Sequence, residues 1–225
     1  MKISFCSFLN VLNNLKILFL FNIMEKWDFK SELKRKAVHL LSIFFLLGYI
    51  IFGAVWGERI ALLVLVLLLI LFLELEFIRI KKQRKIPFIG GLWRESEKEK
   101  IGGQVFFLIG AIIALAVFDF KIAVVALLMT TFGDMAAALF GMKYGAHWLK
   151  DIPNTAWEGI FAEFILDLII GFIFLPHIII ILAMALTATF VETVFTHADD
   201  NLLIPVFAGF TGQVVIIILT NFGVI

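Results

Sequence analysis

Seven stretches of this chain are almost wholly apolar, and each is long enough, or nearly so, to cross a bilayer as a helix. They run over Ala37–Gly53, Ile60–Ile78, Gly102–Phe118, Ile122–Gly141, Trp157–Leu175, His177–Phe195 and Leu202–Thr220. A spanning helix needs roughly 20 mostly apolar residues. In hydrocarbon every backbone polar group must be satisfied inside the protein, so only helices and closed barrels cross it. The alternating lipid-out, polar-in pattern of a barrel strand is absent. Several runs are too uniformly apolar for the one-sided period of a soluble helix. The chain is 62% hydrophobic with a mean hydropathy of +1.06, against about 45–50% apolar for a soluble domain. The expected fold is therefore all-α: a polytopic transmembrane helix bundle of about seven spans.

Residues 24–225 read as a single integral-membrane domain. Residues 1–23 stand apart. They carry Phe5, Phe8, Leu9 and the run Ile17-Leu18-Phe19-Leu20-Phe21, with Lys2 and Lys16. This segment reads as an interfacial helix, a signal-like segment, an eighth span, or sequence upstream of a start at Met24. No small-residue cleavage site follows it, which speaks against a signal peptide. Cys6 is the only cysteine, so neither a disulfide framework nor a cysteine metal site is expected. Nucleic-acid binding has no support, because the basic residues do not alternate with aromatics on a polar surface. Nothing in the sequence decides for or against a homo-oligomer.

The charges are unevenly placed. Lys26, Lys30, Lys34, Arg35 and Lys36 precede the first span. A second basic group, from Arg79 to Lys100, fills the loop after the second span, and Lys143 and Lys150 follow the fourth. Seven alternating helices put these regions on one side, leaving Arg59 and Lys121 on the other. The positive-inside rule makes the basic side, and the N-terminus, cytoplasmic. Eight of the eighteen acidic residues lie after Lys121, where Lys143 and Lys150 are the only Lys or Arg residues. Carboxylates are costly in a membrane and usually mark a site there. Without basic neighbours they suggest bound cations, and hard cations often bring phosphates with them. On this topology the acidic islands face the cytoplasm too.

Four motifs carry the chemistry. The first is Arg35-Lys36 with His39, where Arg35 and His39 share a helix face. It reads either as a positive-inside anchor or as a cationic cluster for nucleotide phosphates. The second is Gly133-Asp134 with Ala137 and Gly141, then Lys143 and Gly145. Its small residues allow close approach of a helix or ligand, and Asp134 lies roughly two turns from the loop. The third is Glu158-Gly159, with Glu163 and Asp167 beyond it on one face. Glu158 is also well placed as a charge at a helix N-terminus, and Asp167 reads as a structural partner for a hydroxyl or as part of the site. The fourth is Glu192 followed by Asp199-Asp200-Asn201 and Pro205. Its oxygens suit Mg²⁺, although one of them also suits a helix cap.

In this order the four motifs resemble the family of dolichol kinases, phytol kinases and CTP-dependent diacylglycerol kinases, over about Lys34 to Gly212. Arg35-Lys36 with His39 is similar to the family's Arg-Lys-x-x-His. Gly133-Asp134, Ala137 and Gly141 are similar to its Gly-Asp-x-x-Ala-x-x-x-Gly, and Glu158-Gly159 to its Glu-Gly segment. Glu192 with Asp199-Asp200-Asn201-Leu202 and Ile204-Pro205 is similar to its Glu…Asp-Asp-Asn-Leu-x-x-Pro. The chain departs from the pattern at Asn154-Thr155, where a Lys-Ser or Lys-Thr is common, at Ile160, and at Lys143, where an Arg is common.

The resemblance implies a CTP-dependent lipid-alcohol kinase that moves the γ-phosphate of CTP to a polyprenol, an isoprenoid alcohol or a diradylglycerol. Asp199, Asp200 and Asn201, with Asp134 or Glu192, would hold Mg²⁺. Arg35, Lys36 and Lys143 would contact phosphates beside Gly133 and Gly159, and His39, Asp134 or Glu158 would accept the acceptor's proton. The alternatives are a phosphatidate cytidylyltransferase, whose C-terminal signature is missing, and a transporter, which would place acids at mid-membrane. No Walker motif occurs, so this is not a P-loop kinase.

Overall fold

The computed structural model describes residues 33, 36, 40–82, 100–150, 152, 155–195 and 198–224. The regular elements among them are all helices. A 3₁₀ turn at Leu40–Ser42 leads into α1 (Ile43–Trp56), and α2 (Glu58–Lys82) and α3 (Gly103–Val117) follow. Next come α4 (Phe120–Leu128), a π-helical segment (Met129–Gly133) and α5 (Asp134–Tyr144), which together form one long rod. The last three are α6 (Trp157–Phe174), α7 (Ile178–Val194) and α8 (Asp200–Asn221).

The seven apolar runs thus fold as helices close to the expected bounds, and the fold is an all-α membrane bundle. Three rods, Glu58–Lys81, Phe120–Tyr144 and Asp200–Asn221, are long and apolar enough to cross a membrane. At 1.5 Å per residue, α2 measures about 37 Å, whereas α3 reaches only about 22 Å. Large apolar side chains point outward, such as Phe44, Leu67 and Ile173, all more than half exposed. That surface suits lipid tails. The segment 1–23 lies outside the described residues.

The composite rod α4–π–α5 is the centre of the bundle. Ile122, Ala123, Val125 and Ala126 are fully buried, and the π segment packs against α6, α7 and α8. Inside it Thr130 and Thr131 donate their hydroxyls back to the Ala126 and Leu127 carbonyls. The run Ile122–Gly141, read from sequence as one helix, is therefore interrupted. A π turn adds a residue to the local repeat, and so changes the direction in which the next side chain, Asp134, leaves the helix.

Short turns make neighbouring helices antiparallel. Gly171 lies against Ile181 across the α6–α7 turn. At α8, Asp199 is the N-cap and accepts from the Asn201 backbone N–H. Pro205, inside α8, has no N–H to offer the Asn201 carbonyl. There α3 packs tightly against it: a Cβ on Gly110 would lie 2.8 Å from both that carbonyl and Pro205 Cγ.

Candidate active site

This topology collects the polar islands at one end of the bundle. The end of α7, the start of α8, the start of α6 and the first turn of α5 bring Glu192, Asp200, Glu163 and Asp134 together. One oxygen each from Asp134, Glu192 and Asp200 lies within 4.8 Å of the others. Three carboxylates at that separation, all hard oxygen donors, fit a divalent cation of the Mg²⁺ type. Glu192 Oε2 is buried and has no hydrogen-bond partner among the described residues, so it is unengaged for such a role.

Lys36 joins this cluster from the other end of the sequence. Its ammonium forms a buried ion pair with Asp134 Oδ1, and its charge also acts on Glu163 and Glu192. In low dielectric one ammonium offsets part of the mutual repulsion of these acids. The basic opening motif thus reaches the acidic islands directly. Arg35 and His39, its other members, lie outside the described residues.

Asp199 and Asn201 are near the trio but engaged with each other. Asp199 Oδ1 accepts from the Asn201 amide nitrogen at 2.8 Å and from its backbone N–H at 3.1 Å. The same backbone N–H also meets Asp200 Oδ1 at 2.8 Å. Burial and the adjacent Asp200 charge push the Asp199 carboxyl up to about 6, partly opposed by its hydrogen bonds from Asn201. Asp199 is therefore a helix cap, and the pair holds the first turn of α8 so that Asp200 faces Asp134 and Glu192.

Glu158 points into the loop that joins α5 to α6. Its carboxylate meets the His147 backbone N–H at 3.2 and 3.3 Å, and Oε1 meets His147 Nδ1 at 2.7 Å. Lys143 is exposed, 5.1 Å from the Tyr144 ring centre. The two glycines assigned to nucleotide contact serve close packing in this structure. A Cβ on Gly159 would sit 2.6 Å from the Ala137 carbonyl and 3.2 Å from Gly141 Cα. One on Gly133 would sit 2.7 Å from Asp167 Oδ1 and 3.3 Å from Glu163 Cγ.

The sequence reading gave Glu163 no site role. It is 1% exposed, and Asp167 beside it on α6 is 0% exposed. Glu163 interacts electrostatically with Asp134 and Asp200. The available signal was their four-residue spacing, which puts both acids on one face of α6.

With a partly buried acidic triad beside a lysine at one end of a membrane bundle, the comparison with known proteins becomes specific. The chain is 27% identical over 203 residues to the CTP-dependent diacylglycerol kinase 1 of Schizosaccharomyces pombe, covering 81% of this chain and 92% of that protein. This chain is similar to a CTP-dependent lipid kinase. The resemblance read from the four motifs therefore extends over most of both chains. No family model matches the chain, and no solved structure matches it.

Proposed function

We propose that the protein is a CTP-dependent lipid-alcohol kinase, with a diradylglycerol as the first acceptor to test and polyprenols and phytol as the next. The observation that carries this reading is the convergence of Asp134, Glu192 and Asp200, in a chain similar along most of its length to a CTP-dependent diacylglycerol kinase. Asp134, Glu192 and Asp200 would hold Mg²⁺ on the triphosphate. When bound, the cation supplies charge neutralisation on the phosphates. Lys36 keeps Asp134 in place, and the cap formed by Asp199 and Asn201 keeps Asp200 in place. Arg35 and Lys143 are the cations assigned to the nucleotide phosphates.

A lipid hydroxyl sits at the headgroup boundary, and the ends of α6, α7 and α8 that carry these acids belong at the same level. The positive-inside pattern puts that end in the cytoplasm, where CTP is found. Of the three groups considered for the acceptor's proton, Asp134 is paired with Lys36 and Glu158 is engaged by His147. The reading therefore assigns proton acceptance to His39, which follows Lys36 by three residues. The transporter reading loses ground, because Asp134, Glu163, Glu192, Asp199 and Asp200 gather toward one end of the bundle rather than along a path open to both sides.

The test uses the full-length protein purified in detergent, with CTP labelled at either the γ- or the α-phosphate and Mg²⁺ present. Diacylglycerol, dolichol, phytol and geranylgeraniol are offered in turn. Transfer of the γ-label to a lipid is the expected result. Phosphatidate is offered as a further lipid: transfer of the α-label alone, to its phosphate with release of pyrophosphate, points to a cytidylyltransferase, and no transfer of the γ-label to any lipid alcohol overturns the kinase reading.

A further inference from the structure

Of the three long rods, α2 is the least enclosed: 17% of its apolar stretch is buried, against 67% in the central rod and 33% in α8. It packs on α1 and α3 along the face where Ala61, Leu65, Glu76 and Arg79 are buried. The opposite face carries Leu63, Leu67, Ile70, Glu74 and Phe77, all exposed. Their spacing alternates between four residues and three, the repeat that keeps one seam of a helix against a second helix running alongside it. Leu63 and Leu67 are both more than 60% exposed. The apolar part of this seam suits lipid tails as well as it suits protein.

Glu74 does not suit lipid tails. It sits in the seam between Ile70 and Phe77. The residues three and four positions away on either side, Ile70, Leu71, Phe77 and Ile78, are all apolar, so no neighbour on its own helix face can pair with it. Glu76 accepts from Arg79 Nε at 3.0 Å, and Arg79 also donates to the Lys100 carbonyl. Lys81 lies over the Phe77 ring, 4.9 Å from its centre. Glu74 itself makes no hydrogen bond or ion pair among the described residues. At 1.5 Å per residue it stands about 12 Å from Lys82 and about 24 Å from Glu58. A rod of about 37 Å laid evenly across a core of about 30 Å therefore holds this carboxyl within the hydrocarbon. An ionisable group there is unfavourable without a partner and marks a site.

Copies of the chain in one membrane share an orientation, so two of them meet about a twofold axis along the membrane normal. In such a dimer the same patch faces itself. Parallel helices joined by a seam of this spacing set each seam residue against its counterpart. Leu67 then meets Leu67 of the partner subunit. Glu74 meets Glu74 of the partner subunit, and one carboxyl in its acid form donates its O–H to an oxygen of the other. Hydrogen bonds between polar side chains hold membrane helices together in this way.

We propose that the outer seam of α2, from Leu63 to Phe77, is a homodimer interface centred on a hydrogen bond between the two Glu74 carboxyls. None of the acidic triad lies on α2, so this interface is independent of the proposed kinase reaction.

The experiment uses the full-length protein at low density in phosphatidylcholine vesicles, with Cys6→Ser as the background. Leu67→Cys is expected to give a disulfide-linked dimer on oxidation with copper phenanthroline. Ile173→Cys, 69% exposed on α6, is expected to remain monomeric. Association is then measured by energy transfer between donor and acceptor dyes on Lys150→Cys. Glu74→Leu is expected to weaken it at least about fivefold, the scale of one hydrogen bond between membrane helices. Glu74→Gln, which both donates and accepts, is expected to associate nearly as the wild type does. Glu74→Leu puts an apolar residue on a lipid-facing surface, so its monomer is expected to fold.

A monomer at every protein density overturns the proposal and means that lipid or another part of the chain covers the seam. Cross-linking at position 173 as strong as at position 67 also overturns it, because it reports random collision. Unchanged association in Glu74→Leu overturns the role of the carboxyl. An equal loss in Glu74→Gln and Glu74→Leu does so too, because the hydrogen bond is then not what joins the helices.

Discussion

Lys36 and Asp134 are 98 positions apart and form a buried ion pair. Burying both charges costs desolvation, and the pair recovers that cost only while both partners remain. Removing the ammonium leaves Asp134 facing Asp200, Glu192 and Glu163. Lys36→Ala is therefore expected to destabilise the protein by roughly 3–5 kcal/mol, the usual cost of breaking a buried pair. The measurement is thermal unfolding in detergent with EDTA present. Added Mg²⁺ should restore part of the loss, because the cation replaces positive charge in the same cluster. A lysine acting purely on substrate phosphates gives the opposite pattern: unchanged unfolding and a raised KM for CTP. The sequence marked Lys36 as functional from its motif but assigned it to phosphates. Nothing in the spacing of the opening motif points to residue 134, because such a pairing is a product of the fold.

The helices were legible because their signal is redundant. Each apolar run repeats the same information over many residues, and hydrocarbon leaves few alternatives to a helix. The π segment was not legible, since one extra residue in a turn leaves no mark in an apolar pattern. Its consequence is local but decisive, because it immediately precedes Asp134. The glycines were legible as small residues but not in their role. Gly159 and Gly141 face each other where α6 crosses α5, and the atoms that meet an added Cβ are backbone atoms that cannot rotate away. Gly159→Ala is thus expected to force the two helices apart, at about 1–3 kcal/mol for an overpacked contact. It should lower the unfolding temperature and reduce activity together. Gly48 has nothing within 4 Å of its added Cβ, so Gly48→Ala is the matched control and should leave both unchanged. An unaltered unfolding temperature in Gly159→Ala would show that the crossing is looser than described.

Across the whole bundle, chemistry and charge divide by end. Lys36, Lys100, Lys143 and Lys150 lie at the end that carries Asp134, Glu192 and Asp200, while Arg59 and Lys121 lie at the other. At that far end the polar contacts are structural: Gln213 accepts from the Asp119 backbone N–H at 2.8 Å and donates to Asp119 Oδ2 at 3.0 Å, tying α8 to the turn before α4. The division follows from an even number of spans, six, between the opening basic motif and the last acidic loop, so one count of apolar runs fixes which loops share a side. Which side is cytoplasmic is read separately, from the excess of Lys and Arg. The orientation can be tested independently of catalysis. Cys6 is the only cysteine, so Cys6→Ser gives a background into which a single thiol is placed at Lys150→Cys or Lys121→Cys, both exposed positions. A membrane-impermeant maleimide applied to sealed vesicles with the cytoplasmic face outward is expected to label Cys at 150 and spare Cys at 121. Vesicles of the opposite orientation should reverse the pattern. If position 121 is labelled from the cytoplasmic face instead, the acidic triad opens away from cytoplasmic CTP. The proposed kinase chemistry then loses its donor, however well the triad binds a cation.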